Sequence, residues 1–416
     1  MLLRLAAITA VLMHFNALSA LAMGAFPGGG YAPESEQLAK PTIPDKRSTT
    51  PDTPLQTACL ESPDLDCIKA VSAELAQKGG RINKAAYAAV VARIDGLDAA
   101  AKLVRSNSDD PIIQHQQIAL IASYVDDIEH AKEHLPLGWP EPSFSSTEDE
   151  DRFTVIHQIV KDAVVNQQSA RSIMRFVAKQ WEFDQETATY DIRDSQRIAL
   201  MNLFALLPQS RGATTGIRML EPAGRWSYPP SEKTLNELKW IAVSDLSEPA
   251  ATLDTHAGKF LSGSPDRVRY GIAARLLMSG EGEKAVELAA LIEDPFLRLF
   301  SQMAIADSNT TDMSDSRRLQ LLEAANLDVP TIQANDEMLL RYHLLREIYS
   351  GVGPLPETDI ALDAIVTNPK AKRLPQAAFL LARAGRPQDA LRMAYKAPYR
   401  SVAIYHVVMG MSAPQS

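Results

Sequence analysis

The chain has little of what catalysis and β-architecture draw on. Two cysteines stand among 416 residues, aromatics make up 6%, and 42 Lys and Arg fall short of 51 Asp and Glu, for a net charge of -9. Sparse aromatics beside abundant alanine and leucine favour packed helices over sandwiches, which lean on Val, Thr, Tyr and Phe. Acidity without a basic stripe argues against a phosphate backbone as partner, so no nucleic acid is expected. Phosphate-binding loops, G-x-G-x-x-G after a strand, H-E-x-x-H and G-x-S-x-G are all missing. No motif therefore announces a cofactor, a metal or an enzyme. Alternating apolar runs joined by hairpin turns are missing too, so strands are not expected.

Only the N-terminus offers a long apolar run. "MLLRLAAITAVLMHFNALSALAMG" has one positive charge at Arg4, an apolar stretch from Leu5, and small residues Ala20 and Ala22 at the positions a signal peptidase accepts. The stretch is interrupted by His14 and Asn16 and is shorter than the ~20 residues of a spanning helix. It predicts a bacterial signal peptide over 1–22, cleaved after Ala22, and hence a periplasmic or secreted protein without stable membrane insertion. An uncleaved anchor holding the same body outside the membrane is the alternative. Residues 23–56 are dense in Pro, Gly, Ser and Thr, show no period, and predict a disordered tether.

Cys59 and Cys67 bracket "LESPDLD". In an exported protein such a pair predicts a disulfide, two unpaired cysteines being the alternative. Residues eight apart on one helix lie ~12 Å apart, beyond the ~7 Å Cα limit of a bridge, so the chain must turn at Pro63-Asp64. Closing so small a loop stabilises by about 2–3 kcal/mol on the chain-entropy model. The spacing excludes a CxxC redox centre.

From 57 to 412 the apolar period is helical. Helices are expected over 81–94, 194–207, 268–279, 283–293, 295–306, 335–350, 374–384 and 387–396, with short connectors carrying Gly, Pro, Asn or Asp. Two stretches share a pattern. Residues 96–122 and 280–306 match without a gap at Gly96/Gly280, Ala101/Ala285, Asp110-Pro111/Asp294-Pro295 and Ile121-Ala122/Ile305-Ala306. Gly385 and Ala390 repeat the first spacing, with Pro398 two places early, and 212–222 is a weaker echo. Physically, the glycine ends helix A in the left-handed region and the alanine lets helix B approach it. Asp-Pro then caps and starts the next helix, whose buried face carries Ile-Ala. No hairpin buries both its faces, so the units must stack.

"LLMSGEGEKAVELAALIEDPFLRLFSQMAIA" and "FLLARAGRPQDALRMAYKAPYRSVAIY" resemble tetratricopeptide-like helical hairpins of exported bacterial proteins, sharing the G-x-x-x-x-A turn. The fuller W-x-x-L-G-x-x-Y pattern and a strict 34-residue period are absent. The resemblance covers roughly 80–120 residues well and implies an all-α solenoid of stacked hairpins. In architecture alone the chain also resembles the superhelix of soluble lytic transglycosylases. That family's catalytic domain is missing: the Glu-Ser pairs Glu34-Ser35 and Glu61-Ser62 fall in the tether and the cysteine loop.

Four features could carry chemistry. His130 and His134, at i and i+4 in "DDIEHAKEHL", have metal-ligand spacing but no obvious third ligand, and read better as a solvated helix end before Pro136 and Pro140. His115, His157, His256, His343 and His406 lack a Ser or Cys partner nearby and read as satisfied core or surface residues. The acidic run 148–151 suits a helix start. The loop "EPAGRWSYPPSE" (221–232) sets Arg225, Trp226 and Tyr228 beside two prolines, a combination enriched in binding hot spots, with packing into a groove between repeats as the plainer account. Together these readings describe a non-enzymatic exported scaffold binding a protein, peptide or envelope polymer. The alternative is a cell-wall enzyme or accessory whose site is built across repeats.

Overall fold

The computed structural model describes residues 52–79, 81–140, 148–180, 183–184, 189–190, 194–221, 232–247, 249, 264–308, 313–326, 336–352, 354–367, 374–397 and 399–413. The signal peptide, most of the tether and the loop carrying Arg225, Trp226 and Tyr228 lie outside them. The fold is all-α apart from one short ladder, with consecutive helices in hairpin-like contact as a helical-repeat protein requires.

The chain divides into two compact units. The first takes the described residues up to Asp127 and returns for those from Asp336 onward. Its N-terminal part holds α1 (Pro54–Glu61), α2 (Leu65–Gln77), α3 (Arg81–Asp95), α4 (Leu97–Asn107) and α5 (Pro111–Tyr124). The second unit holds α6 (Ile128–Gly138), α7 (Glu148–Val165), α8 (Ala170–Gln180), β1 (Phe183–Asp184), β2 (Thr189–Tyr190), α9 (Asp194–Ala205) and α10 (Ser210–Leu220). It continues through α11 (Glu232–Val243), α12 (Pro265–Met278), α13 (Gly282–Ala290), α14 (Pro295–Ala306) and α15 (Asp315–Ala325). The C-terminal part of the first unit is α16 (Asp336–Ser350), α17 (Pro356–Thr367), α18 (Leu374–Arg383), α19 (Pro387–Lys396) and α20 (Arg400–Met411).

The expected turn grammar is present. Gly96, Gly280 and Gly385 have φ of 94°, 78° and 75°, the left-handed region a side chain enters at a cost. At two of these turns the hydrogen bonds match as well. Gly280 N–H donates to Leu277 O and Glu281 N–H to Leu276 O, at 3.0 and 2.9 Å; Gly385 to Ala382 O and Arg386 to Leu381 O, at 3.1 and 2.9 Å, repeat the pattern. This is the double closure of a Schellman C-cap. Gly96 is tighter, a single residue between α3 and α4. Ala101, Ala285 and Ala390 are buried against the preceding helix, and Ile121, Ala122, Ile305 and Ala306 line the core. Asp110 accepts from Ile112 N–H at 2.9 Å; Asp294 accepts from Phe296 N–H and Leu297 N–H at 2.9 and 3.1 Å, each ahead of a proline in the first turn. Pro398 lies outside the described residues.

Four expectations change. The stretch 212–222 is no echo of the turn: Gly212 lies inside α10, where an added Cβ would stand 2.4 Å from Ala170 Cβ, so it serves close packing. α1 begins at Pro54, within the tether expected to run to 56, because Thr53 caps it and Pro54 occupies its first turn. Pro136 lies inside α6, which runs on to Gly138. A ladder pairs Phe183 with Tyr190 and Asp184 with Thr189, two residues a strand and too short to show alternation in a sequence.

The first unit is closed by both ends of the described chain. α20 packs on α18, α2 and α3, and α19 touches α1. Ser401 Oγ donates to Asn83 Oδ1 at 2.8 Å, Arg93 Nε to Ser412 Oγ at 3.1 Å, and the buried Tyr405 hydroxyl to Tyr124 O at 2.9 Å. Gly410 permits this docking, since a Cβ there would lie 2.4 Å from Phe379 O on α18.

Candidate functional site

The stem of the 221–232 loop is described even though its tip is not. Glu221 closes α10, and its Oε1 takes a bond from Lys239 Nζ at 2.5 Å, tying the end of α10 to α11. Glu237, buried on α11, accepts from Ser264 N–H at 2.9 Å and so positions the start of α12.

Arg275, on α12 in the apolar string "YGIAARLLMS", is completely buried. Its guanidinium donates to Leu207 O, Pro208 O, Ile241 O and Ser244 O at 2.5 to 3.1 Å. These carbonyls belong to the C-terminal ends of α9 and α11, where main-chain acceptors lack helical partners and the helix dipole is negative. Burial lowers its pKa to about 10, so it stays charged at neutral pH. Arg318 repeats the device, donating to Ala306 O, Ser308 O and, at 2.9 Å, Met313 O beyond the end of α14. The legible signal was a lone arginine with apolar neighbours on every side.

Carboxylates converge at one place in the first unit. Asp389 Oδ2 and Asp359 Oδ1 lie 2.8 and 2.5 Å from Arg386 Nη2, and buried Glu347 lies 3.6 Å from Nη1. Their centre is filled by the guanidinium, which ties α16, α17 and α19 to the turn after Gly385. Among the described residues no group of three or more His, Cys, Asp or Glu could hold a metal ion. His130 is exposed and His134 buried on α6, so the pair does not form one solvated helix end.

His115 is half-buried, and His157, His343 and His406 occupy core positions, but not all of these are satisfied. His157 on α7 and His343 on α16 are buried, and His157 Nε2 and His343 Nδ1 have no hydrogen-bond partner among the described residues. Burial, then the charge of Lys161, lowers the His157 pKa to about 3. A ring neutral across the physiological range is a poor proton shuttle, and it packs against Phe153. His256 lies outside the described residues.

Cys59 and Cys67 are brought together as expected, with the turn in place: α1 ends at Glu61 and Asp64 caps α2, accepting from Cys67 N–H at 2.7 Å. The two are free thiols, not a disulfide. Cys59 is fully buried, and desolvation followed by a hydrogen bond with Cys67 pushes its pKa far up. Tyr395 of α19 donates to Gln56 O at 3.4 Å.

No family model matches the chain, and neither a curated protein nor a solved structure does. No helix among the described residues is long and apolar enough to cross a membrane.

Proposed function

We propose that this chain is an exported, non-enzymatic helical-repeat scaffold of tetratricopeptide-like character that binds a protein, peptide or envelope polymer. One observation carries the reading: side chains that would be the natural reagents of a catalytic site are spent on holding helices in place. Asp110 and Asp294 cap helices, Asp266 accepts from Glu293 and Asp294 N–H at 3.1 and 2.8 Å, and the converging carboxylates close on Arg386. The contact surface would include Arg225, Trp226 and Tyr228, in the loop that follows Glu221. The signal sequence would deliver the chain to the periplasm or beyond, and the tether would give it reach.

The test uses the chain bearing a photo-crosslinker at Trp226, in envelope extracts and beside purified peptidoglycan. A discrete adduct lost on Arg225→Ala with Tyr228→Ala is expected. Turnover of peptidoglycan or peptide by the purified chain would sink the scaffold reading in favour of a cell-wall enzyme. Mass spectrometry of the exported form should find its first residue at Met23.

A further inference from the structure

We propose that the outward faces of α8 and α10 form a basic platform that rests on an anionic lipid bilayer. α8 reads "ARSIMRFVAKQ" and α10 "SRGATTGIRML", and neither holds an Asp or Glu in a chain of net charge -9. The apolar stripes decide which way the cations point. Ala170, Ile173 and Val177 are buried on α8, and Ala213, Gly216, Ile217 and Leu220 on α10. Arg171, Arg175 and Lys179 therefore fall on the opposite side of α8, at i, i+4 and i+8, and Arg211 and Arg218 on that of α10. All five are exposed, and none makes an ion pair or a side-chain hydrogen bond among the described residues.

The two helices share one face. α7 packs on α9 and α8 on α10, so the second helices of two consecutive hairpins lie side by side in one layer. Their first turns meet where Gly212 comes so close to Ala170 that an added Cβ would stand 2.4 Å from its methyl group. Along each helix, cations four residues apart are separated by about 6 Å. No described contact offsets this arrangement. Like charges at i, i+4 repel, and Arg171 and Arg211 stand in first turns, where the helix dipole disfavours cations. The acid adjoining α10, Glu221, is already held by Lys239. Local rules broken together, with no partner inside the fold, mark a surface shaped for something outside it. A chain acidic overall thus carries a basic face that no single run of its sequence displays.

The chemistry of that face selects its partner. Among the described residues, none of the exposed large apolar side chains lies on α8 or α10. A peptide would therefore find no anchor, only solvent-exposed ion pairs that are individually weak. An anionic bilayer offers many charges at once. Its negative potential acts on every cation within a Debye length of the surface, so the small contributions add. Two helices side by side can meet such a plane without a cleft. This face is separate from the contact surface proposed around Trp226 and does not depend on it.

The full chain is mixed with vesicles of phosphatidylcholine, alone or with about a third phosphatidylglycerol, at about 0.1 M salt, and bound chain is measured by flotation. Residues 1–22 are apolar and act on both vesicles, so the difference between them is the readout. Binding should favour the anionic vesicles and the preference should vanish at about 0.5 M salt. Each cation removed should weaken it about fivefold, so Arg171→Gln with Arg175→Gln should lower affinity about thirtyfold. Lys179→Gln with Arg218→Gln, at the other ends of the helices, should show the same loss. Glutamine keeps the helix propensity, and an unchanged urea midpoint shows each variant folded. Lys102→Gln with Arg105→Gln, exposed cations of α4, should bind as the parent does. Equal affinity for both vesicles, or parent affinity in the α8 and α10 variants, overturns the proposal. So does tighter binding to polyglutamate or single-stranded DNA than to anionic vesicles of the same total charge, which would assign the face to a peptide or a nucleic acid.

Discussion

Replacing Arg275 by methionine isolates what a buried guanidinium without a carboxylate contributes. Methionine keeps most of the volume, so cavity formation is a small term and the loss falls on hydrogen bonding. Main-chain oxygens at Leu207, Pro208 and Ile241 lose this donor, while Ser244 O keeps the Ser210 hydroxyl at 3.2 Å. At the low end of the cost of an unsatisfied buried acceptor, about 1 kcal/mol each, the substitution destabilises by about 3 kcal/mol. That agrees with the ~3–5 kcal/mol found when one member of a buried charged arrangement is removed. Arg275→Lys keeps the charge but concentrates its donors at one atom, which cannot serve the ends of both α9 and α11, so about half the loss should remain. Urea unfolding followed by tryptophan fluorescence suits the test because Trp240 lies on α11, one turn before Ser244, and accepts its hydroxyl at 2.7 Å. The midpoint should fall by more than about 1 M for methionine. A methionine variant within about 1 kcal/mol of the parent would show that water re-satisfies these carbonyls and that the clamp is incidental.

Asp294→Ala should cost about 1 kcal/mol, because Phe296 and Leu297 N–H lose their cap, while Arg392→Met, whose partner Asp389 is shared with Arg386, should stay within about 0.5 kcal/mol; thermal melts of both variants check this pair. His157 is neutral when folded down to about pH 3 but protonates near its ordinary value when unfolded, so stability falls as pH drops from about 6.5 toward 3. His157→Gln should flatten that decline between pH 6.5 and 5 by about 1.4 kcal/mol per pH unit, and a slope unchanged in urea titrations would refute a ring kept neutral in the fold. Gly410→Ala drives a Cβ against Phe379 O and should raise hydrogen exchange not only in α18 but across α2 and α3, more than 300 residues earlier in the chain. Exchange confined to 374–411 would mean that stacking passes between sequence neighbours alone.

What the sequence made legible was local. Gly280 and Gly385 end helices because φ near 75–78° is cheap for glycine, and Asp294-Pro295 starts one because an Asp side chain reaches N–H groups two and three residues on. Such signals act within about five residues and need no partner elsewhere. The turn between Cys59 and Cys67 is present at Pro63-Asp64, where Asp64 caps the next helix, although the disulfide from which it was inferred is not formed. Arg275 was missed because its four acceptors come from main-chain groups 31 to 68 residues away, which no pattern of side chains encodes. The burial of His134 four residues from exposed His130 likewise depends on which face of α6 its unit covers. The candidate contact residues Arg225, Trp226 and Tyr228 were read from composition alone, while the bond from Lys239 to Glu221 that joins α10 to α11 required the fold.

The closure of the first unit bears on what kind of repeat protein this is. In an open stack each repeat touches its neighbours, and the terminal helices must turn a polar face to water. Here the last helix is not such a cap. Val402, Ala403, Ile404, Tyr405, Val407 and Val408 of α20 are all buried, and α20 is packed on α18 on one side and on α2 and α3 on another. The apolar edges of the first and last hairpins therefore satisfy each other, and neither needs a dedicated capping repeat. Joining segments so far apart in the chain carries a loop-closure cost that grows only as the logarithm of the intervening length, so a few buried side chains can offset it. That arrangement explains why α1 can be a short helix held by a handful of bonds: the core of this unit is sealed by α20.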